Sequence, residues 1–381
     1  MINTLKLQAL LHWLATGAPP QSDYRATFGE LCRRMVDIGV QADLISIYQI
    51  ALNPLLGGLR YSWSPSQGVT IREFTHEMMA SELFIDGVIH TAKVSKKPVR
   101  YHVGRMPKFD RHTGSIRIIE AGYREFSVSQ LLTTTNADTV LAMATRNPEG
   151  FPEDQFEAYQ RILAPLARVV QSQIQTDTTN ALLSAYLGRD AGMRVTTGMV
   201  KRGDAEMIRA VILFTDIVGF TTLSNRLPIE VTVRLLNKYF EALETPIIKN
   251  GGEVLKLMGD GVLAIFPTPQ DITAQEGAAL SALSAVEDAR TLLSETEIHF
   301  RASYHVGDVH YGNIGGLSRL DFTAIGPAVN LAARLLDAAS SRGVEATGSA
   351  AFARLVPDRG RPLGIFDFKG FETAEEVFDL S

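Results

Sequence analysis

The sequence predicts an α+β protein of two domains, the second running strand, helix, strand, strand, helix, strand. Three observations predict this. The buried-strand run Ala210-Val-Ile-Leu-Phe214 precedes a long segment with Val231, Leu235, Leu236, Tyr239, Phe240, Leu243 and Ile247 at helical spacing. Glu253–Met258 and Val262–Phe266 flank Gly-Asp-Gly, which reads as a hairpin. A length of 381 residues suffices for two ordinary domains and a linker, each with its own core.

The first half reads as helix, sheet, helix. Leu7, Leu10, Leu11 and Leu14 fall at helical spacing with Thr4, Lys6 and Gln8 among them, so the start predicts an amphipathic packing helix rather than an export signal. Pro19-Pro20 breaks the chain, and Phe28, Leu31, Met35 and Ile38 mark a second helix. Alternation in Leu44–Ile50 and near Arg124–Leu132, and the apolar run Thr139–Thr145, predict strands. Asn147-Pro-Glu-Gly150 is a turn signal, after which Phe156, Tyr159, Ile162, Leu163, Leu166, Val169 and Val170 repeat as a helix.

From about Gln171 to Glu206 the chain turns polar, and Thr176–Asn180 interrupts any heptad, so residues 171–206 are expected to form a linker with helical character. The long helix after Phe214 ends at Asn250-Gly-Gly252, and another spans roughly Ile272–Leu293. His299–Val306 and Val309–Tyr311 flank a Gly-Asp pair and read as a second hairpin, which places His305 and His310 at a solvent-facing turn. The order of elements is the split βαβ pattern of ferredoxin-like folds, βαββαβ.

Composition narrows the function classes. Hydrophobic residues make up 45% and charged residues 21%, which argues for globular domains. A formal net charge of −5 opposes broad nucleic-acid binding, which needs a basic face. Cys32 is the sole cysteine, so no intrachain disulfide forms and a Cys-ligated zinc site is not expected. No apolar run reaches membrane-spanning length, and a cytoplasmic protein is expected. The eight histidines show no metal spacing. Lys93, Lys96, Lys97, Arg100, Arg105, Lys108, Arg111 and Arg117 form a basic stretch opposed only by Asp110, read as a solvated loop, with binding to an anionic ligand or acidic lipid as the sharper alternative.

Chemistry concentrates at the strand ends. Asp216 closes the first strand of the second half, and Asp260 sits in the tight turn of the next hairpin. In a ferredoxin-like sheet these strands are neighbours, so both carboxylates can reach one point. Hard oxygen ligands of this kind suit Mg²⁺ shared with substrate phosphates. Either aspartate alone would read more plainly, Asp216 as a helix cap and Asp260 as a turn residue. Together with the loop Ile217-Val-Gly-Phe-Thr221 at a helix N-terminus, they favour a phosphate and metal site.

Three segments carry a resemblance. Phe214-Thr-Asp-Ile-Val-Gly-Phe-Thr221, Lys256-Leu-Met-Gly-Asp-Gly261 and Ile325-Gly-Pro-Ala-Val-Asn-Leu-Ala-Ala-Arg334 closely resemble the signature segments of class III adenylate and guanylate cyclases, in the family's order, from roughly Arg209 onward. The resemblance implies a head-to-tail homodimer with two interfacial active sites and two Mg²⁺ (or Mn²⁺) ions per site. One protomer would give the metal ligands Asp216, Asp260 and the backbone carbonyl of Ile217. The other would give Lys256 and Thr323 to read the purine, Asn330 to orient the ribose and Arg334 to neutralise charge on the α-phosphate. Gly219, Phe220 and Thr221 would hold phosphates, and Lys369 resembles a late lysine that reaches the terminal phosphates.

Residue chemistry agrees with these roles. Lys256 can donate to adenine N1 and would oppose a guanine N1–H, while Thr323 can accept from the adenine amino group. Thr at this position resembles a bacterial subgroup, and the Glu and Cys pair of guanylate cyclases is absent. Asn330 and Arg334 lie four residues apart on one helix face, and the planar, permanently charged guanidinium suits a phosphate. Pro327 replaces a polar residue of many relatives; at the first helical position it predicts altered helix entry or regulation with catalysis retained.

The expected function is therefore ATP conversion to 3′,5′-cyclic AMP by residues 207–381, after a linker at 171–206 and a sensory α/β domain at 1–170. The strand, the Gly-Phe-Pro-Glu-Asp turn at 150–154 and the helix that closes that domain resemble the end of a GAF domain, and its signal, a small molecule or a protein, is not specified by any motif. The alternatives are a guanylate cyclase, a silent nucleotide-binding or dimerisation module, and a diguanylate cyclase. The last would carry Gly-Gly-Asp/Glu-Glu-Phe where this chain has Met258-Gly-Asp-Gly-Val262.

Overall fold

A computed structural model of the chain describes residues 1–19, 23–50, 53–54, 56–79, 98–105, 119–133 and 139–381. They divide into two units, Met1–Leu182 and Leu183–Ser381.

In the first unit Asn3 and Asp23 open helices α1 (Thr4–Ala15) and α2 (Tyr24–Asp37), accepting from the backbone N–H of Lys6 at 3.1 Å and of Ala26 at 2.7 Å. Leu7, Leu10 and Leu14 are buried while Leu5 is exposed, so α1 packs through one stripe. It ends before Pro19; Pro20 lies outside the described residues.

Strands β1 (Leu44–Ile50), β2 (Gly58–Ser64), β3 (Gly68–Phe74), β4 (Val99–His102), β5 (Glu125–Leu131) and β6 (Thr139–Thr145) form an antiparallel sheet in the order β3-β2-β1-β6-β5-β4. Strand alternation sends Ile45 and Ile47 to one face, where they meet Phe28, Leu31 and Met35 of α2 and Tyr159 and Ile162 of α3 (Glu153–Leu187). Each such side chain contributes about 1.5–3 kcal/mol on burial. Phe126, Val128, Val140 and Ala144 form a smaller cluster on the opposite face.

The polar run Thr176–Asn180, which the sequence predicts to interrupt a heptad, lies within α3. The hydroxyls of Thr176 and Thr179 donate to the carbonyls of Ser172 at 3.1 Å and Gln175 at 2.8 Å, so these side chains bond along the helix instead of competing with it. Most of the basic stretch (Lys93, Lys96, Lys97, Lys108, Arg111 and Arg117) lies outside the described residues. Arg100 is structural: it binds Glu125 at 2.7 Å, Glu153 at 2.8 Å and the Phe151 carbonyl at 2.6 Å.

The second unit begins with the end of α3 and helix α4 (Arg189–Thr196). The Glu253 carboxylate accepts from the N–H of Asp190 at 3.0 Å and of Ala191 at 3.3 Å, and Ala191 is fully buried. Next come β7 (Ala205–Ile217), α5 (Phe220–Ser224), α6 (Ile229–Lys249), β8 (Glu253–Met258), β9 (Gly261–Thr268), α7 (Ile272–Leu293), β10 (Phe300–Gly315), β11 (Leu320–Ile325), α8 (Pro327–Arg342), β12 (Ala346–Ser349), α9 (Ala350–Ala353), β13 (Arg361–Phe366) and β14 (Glu375–Asp379). The sheet order is β13-β14-β12-β10-β7-β9-β8, with β11 paired to β10. Val211, Leu213 and Tyr304 face the α6 and α7 side, and Ile212, Tyr311 and Phe322 pack toward α4 and the start of α8. No helix among the described residues is long and apolar enough to cross a membrane.

One predicted turn is absent. Instead of a hairpin at Gly307-Asp308, β10 runs unbroken and pairs with β7 from Phe300↔Ile217 to Gly312↔Ala205. Gly307 serves packing: a Cβ there would stand 2.6 Å from the Ala328 Cβ, so the glycine lets α8 approach. His305 accordingly does not stand at a solvent-facing turn; its Nδ1 lies 2.7 Å from the Ser349 hydroxyl, and burial, with Arg209 nearby, lowers its imidazole to about 4. His310 is exposed.

Candidate active site

β7 delivers Asp216 to the end of its strand, opposite Gly261 of β9. Behind it the buried hydroxyls of Thr215 and Tyr239 lie 2.7 Å apart, tying the strand to α6. Asp260 occupies the two-residue turn between β8 and β9, where Gly259 takes the φ of +67° that the first position of such a turn requires. The Asp216 carboxyl is pushed up to about 6, first by burial, then by the charge and hydrogen bonding of Asp260; Arg301 opposes the shift and Asp337 adds to it. Asp216 does not cap α5, whose N-cap is Gly219 without a side-chain bond.

Two adjacent carboxylates, one of them resisting ionisation, fit a divalent cation held by aspartates, water and phosphate. Among the described residues no group of three or more His, Cys, Asp or Glu side chains is placed to hold a metal ion. Ile217, the last residue of β7, lies on the same strand end, and the loop through Gly219 (φ +70°), Phe220 and Thr221 follows it directly.

Lys256 and Thr323 line an open cavity of about 530 Å³, bounded on another side by residues 184–188. A register shift between Val254 and Lys256 resets the alternation of β8 just before the lysine. The Lys256 Nζ lies 2.7 Å from the Asp321 carboxylate. Thr323 is 8% exposed and pairs across β10 with Gly312.

Asn330 and Arg334 occupy the exposed face of α8, while Ala328, Val329, Leu331 and Ala332 are buried beneath it. Pro327 takes the first helical position after Gly326. Arg334 pairs with Asp337 at 3.1 Å, both side chains largely exposed, a contact that water weakens. Lys369 is exposed in the segment between β13 and β14, beside Phe368, which packs against Leu331 and Leu335 of α8.

The chain thus brings together Asp216 with Asp260, and Lys256 with Thr323; no hydrogen bond or ion pair among the described residues joins Asn330, Arg334 or Lys369 to the aspartates. Two neighbours escape a reading by motif. Arg301 faces Asp216 only through the β10–β7 register, and Asp321 meets Lys256 across a separation of 65 residues. The one sequence signal for Asp321 is its place two residues before Thr323, on the same side of a strand.

An uncharacterised protein of Mycobacterium tuberculosis is 32% identical over 160 residues, which make up 42% of this chain. The chain spans about 30% of the length of such curated relatives. The crystal structure of the adenylyl cyclase CyaB from P. aeruginosa is similar with 26% identity and a TM-score of 0.41, covering 46% of this chain and 95% of that one. That of the guanylyl cyclase Cya2 shows 26% identity and a TM-score of 0.40, covering 46% and 93%. Over residues 205–355, which include Asp216, Lys256, Asp260, Thr323, Asn330 and Arg334, the chain matches the family model of the adenylate and guanylate cyclase catalytic domain.

Proposed function

We propose that this chain is an adenylate cyclase of class III type, acting in the cytoplasm as a homodimer and controlled by its N-terminal unit. The observation that carries the proposal is the pairing of Asp216 with Asp260 at one strand end, in the unit where Lys256 and Thr323 line a cavity and Asn330 and Arg334 stand on the exposed face of α8. Two copies arranged head to tail would complete each half-site with the other. The strand order β10-β7-β9-β8 supports a ferredoxin-like reading of the catalytic unit, and the order β3-β2-β1-β6-β5-β4 supports a GAF-like reading of the sensory one.

Bound Mg²⁺ or Mn²⁺ would supply charge to the phosphates and acidify the ribose 3′-hydroxyl. Asp216 and Asp260, with the Ile217 carbonyl, are the residues to hold the two ions. Backbone N–H groups around Gly219, Phe220 and Thr221 face the triphosphate, and Lys369 reaches its end. From the partner copy, Lys256 donates to adenine N1, Thr323 accepts from the amino group and Asn330 orients the ribose. Arg334 exchanges its weak contact with Asp337 for the α-phosphate, where charge grows in the transition state. The 3′-oxygen attacks the α-phosphorus in line, the bond to the bridging oxygen breaks and pyrophosphate leaves. No protein nucleophile is needed.

Lys256 and Thr323 favour ATP over GTP, and retention of all six polar candidates favours an enzyme over a silent module. Full-length protein incubated with ATP and Mg²⁺ or Mn²⁺ should yield 3′,5′-cyclic AMP and pyrophosphate by mass spectrometry. Cyclic GMP from GTP as the main product, or no cyclic nucleotide at all, would replace this function with one of the alternatives.

A further inference from the structure

The ion pair between Lys256 and Asp321 changes what Lys256 can recognise. A lone ammonium separates the two purines only in part: it donates to N1 of adenine and is opposed by N1–H of guanine, but it can turn to donate to guanine O6 instead. Discrimination needs a second group that fixes where the ammonium points and penalises the wrong edge.

Asp321 stands where such a group is required. β11 alternates, so Asp321 and Thr323 share one side of the strand, while Phe322 and Ala324 pack into the core on the other. Lys256, Asp321 and Thr323 all line the same cavity. β8 and β11 do not pair in the sheet, yet the Lys256 Nζ spans them to reach Asp321 Oδ2 at 2.7 Å. The hydrogen bond from Lys256 holds the Asp321 carboxyl below the usual carboxylate range, so it is ionised at neutral pH. Arg319, 3.8 Å away, is 86% exposed and competes weakly for the same carboxylate.

We infer that Asp321 is a specificity-positioning residue: it anchors the Lys256 ammonium toward the cavity and sets a fixed negative charge beside the purine 6-position. The 6-amino group of adenine, a donor, is favoured next to that charge, and the 6-oxo group of guanine, an acceptor, is repelled. One ammonium proton is committed to Asp321, and two remain for the base. A bond that merely tied β8 to β11 would affect stability and leave purine preference alone.

The inference rests on the adenylate cyclase reading, and its test separates the two. Full-length wild type, Asp321→Asn and Asp321→Glu are assayed for product and for kcat/KM with ATP and with GTP, and ATP and GTP binding is titrated on the same proteins. Circular dichroism checks that each is folded. The Asn variant should lose roughly ten- to a hundredfold of the ATP-over-GTP ratio, mainly through KM, because an amide neither fixes an ammonium nor repels an oxo group. The Glu variant should recover part of that ratio. An Asn variant that makes product with a ratio within roughly twofold of wild type overturns the role of Asp321 and leaves the cyclase reading standing. If wild type makes no cyclic nucleotide, the cyclase reading fails and the binding titration decides. A changed ATP-over-GTP affinity ratio in the Asn variant then supports purine selection by Asp321, and an unchanged one overturns it.

Discussion

Asp216 and Asp260 meet at one end of the second unit's sheet, Asp216 across the β7–β9 ladder from Gly261 and Asp260 in the turn just before that glycine. Asp216 caps no helix among the described residues, and the turn that holds Asp260 takes its conformation from Gly259. Asp216→Ala and Asp260→Ala should therefore fold and assemble as wild type while losing at least roughly a thousandfold in turnover, the scale of removing a charge-stabilising group. Circular dichroism, sizing and a product assay check this together. Near-normal activity in either variant contradicts the metal assignment.

The same pair predicts a pH-dependent cost. The Asp216 acid lies near 6, above its unfolded value near 4, so its contribution to stability is complete below about pH 4 and lost as pH rises through about 6. In chelator at pH 7.5, Asp216→Asn should melt above wild type, by on the order of 1–2 kcal/mol. The difference should close as pH falls toward 4, and Mg²⁺ or Mn²⁺ should raise the wild-type melting point more than the variant's. Thermal melts across pH with and without metal measure it; a wild type that melts at or above the variant throughout contradicts it.

Much of this architecture is legible in the sequence. Leu44–Ile50, Thr139–Thr145, Glu253–Met258 and Ile272–Leu293 have the same limits in the structure, because periodicity and turn residues agree locally. Gly307-Asp308 misleads because glycine marks a turn and a close approach alike, and only the position of Ala328 distinguishes them. Arg301 and Asp321 escape local pattern for another reason: the β10–β7 register sets Arg301 opposite Asp216, and Asp321 meets Lys256 from a strand that does not pair with β8.

Base preference follows from Lys256 and Thr323, which share a cavity. ATP should exceed GTP in kcat/KM, and Lys256→Ala should narrow the gap by roughly 1–3 kcal/mol, the cost of leaving a polar atom of the bound base without its partner. Steady-state kinetics with both nucleotides test this. Equal use of ATP and GTP by wild type contradicts it.

Control by the first unit is tested by removal of residues 1–182. A cut at 204 would strip α4 and Met199, whose carbonyl accepts from Asn313 Nδ2 at 2.7 Å, so residues 183–204 must stay. The shortened chain should keep its product and change its rate, or its response to added ligands, by roughly fivefold or more. A folded, truncated dimer with the rate of the full chain under every condition tested removes the sensory role.

A site divided between two chains is tested most directly by mixing Asp216→Ala with Arg334→Ala under demonstrated subunit exchange. Asp216 on β7, Asp260 in the β8–β9 turn and Arg334 on α8 stand on separate elements, and among the described residues no hydrogen bond or ion pair joins Arg334 to either aspartate. In a two-fold dimer with equivalent sites, each mixed dimer carries one doubly defective site and one intact site. About half the dimers are mixed under random pairing, so activity should recover to roughly a quarter of wild type. If each site were built within one chain, every site would keep one defect. No recovery after exchange would contradict the shared site.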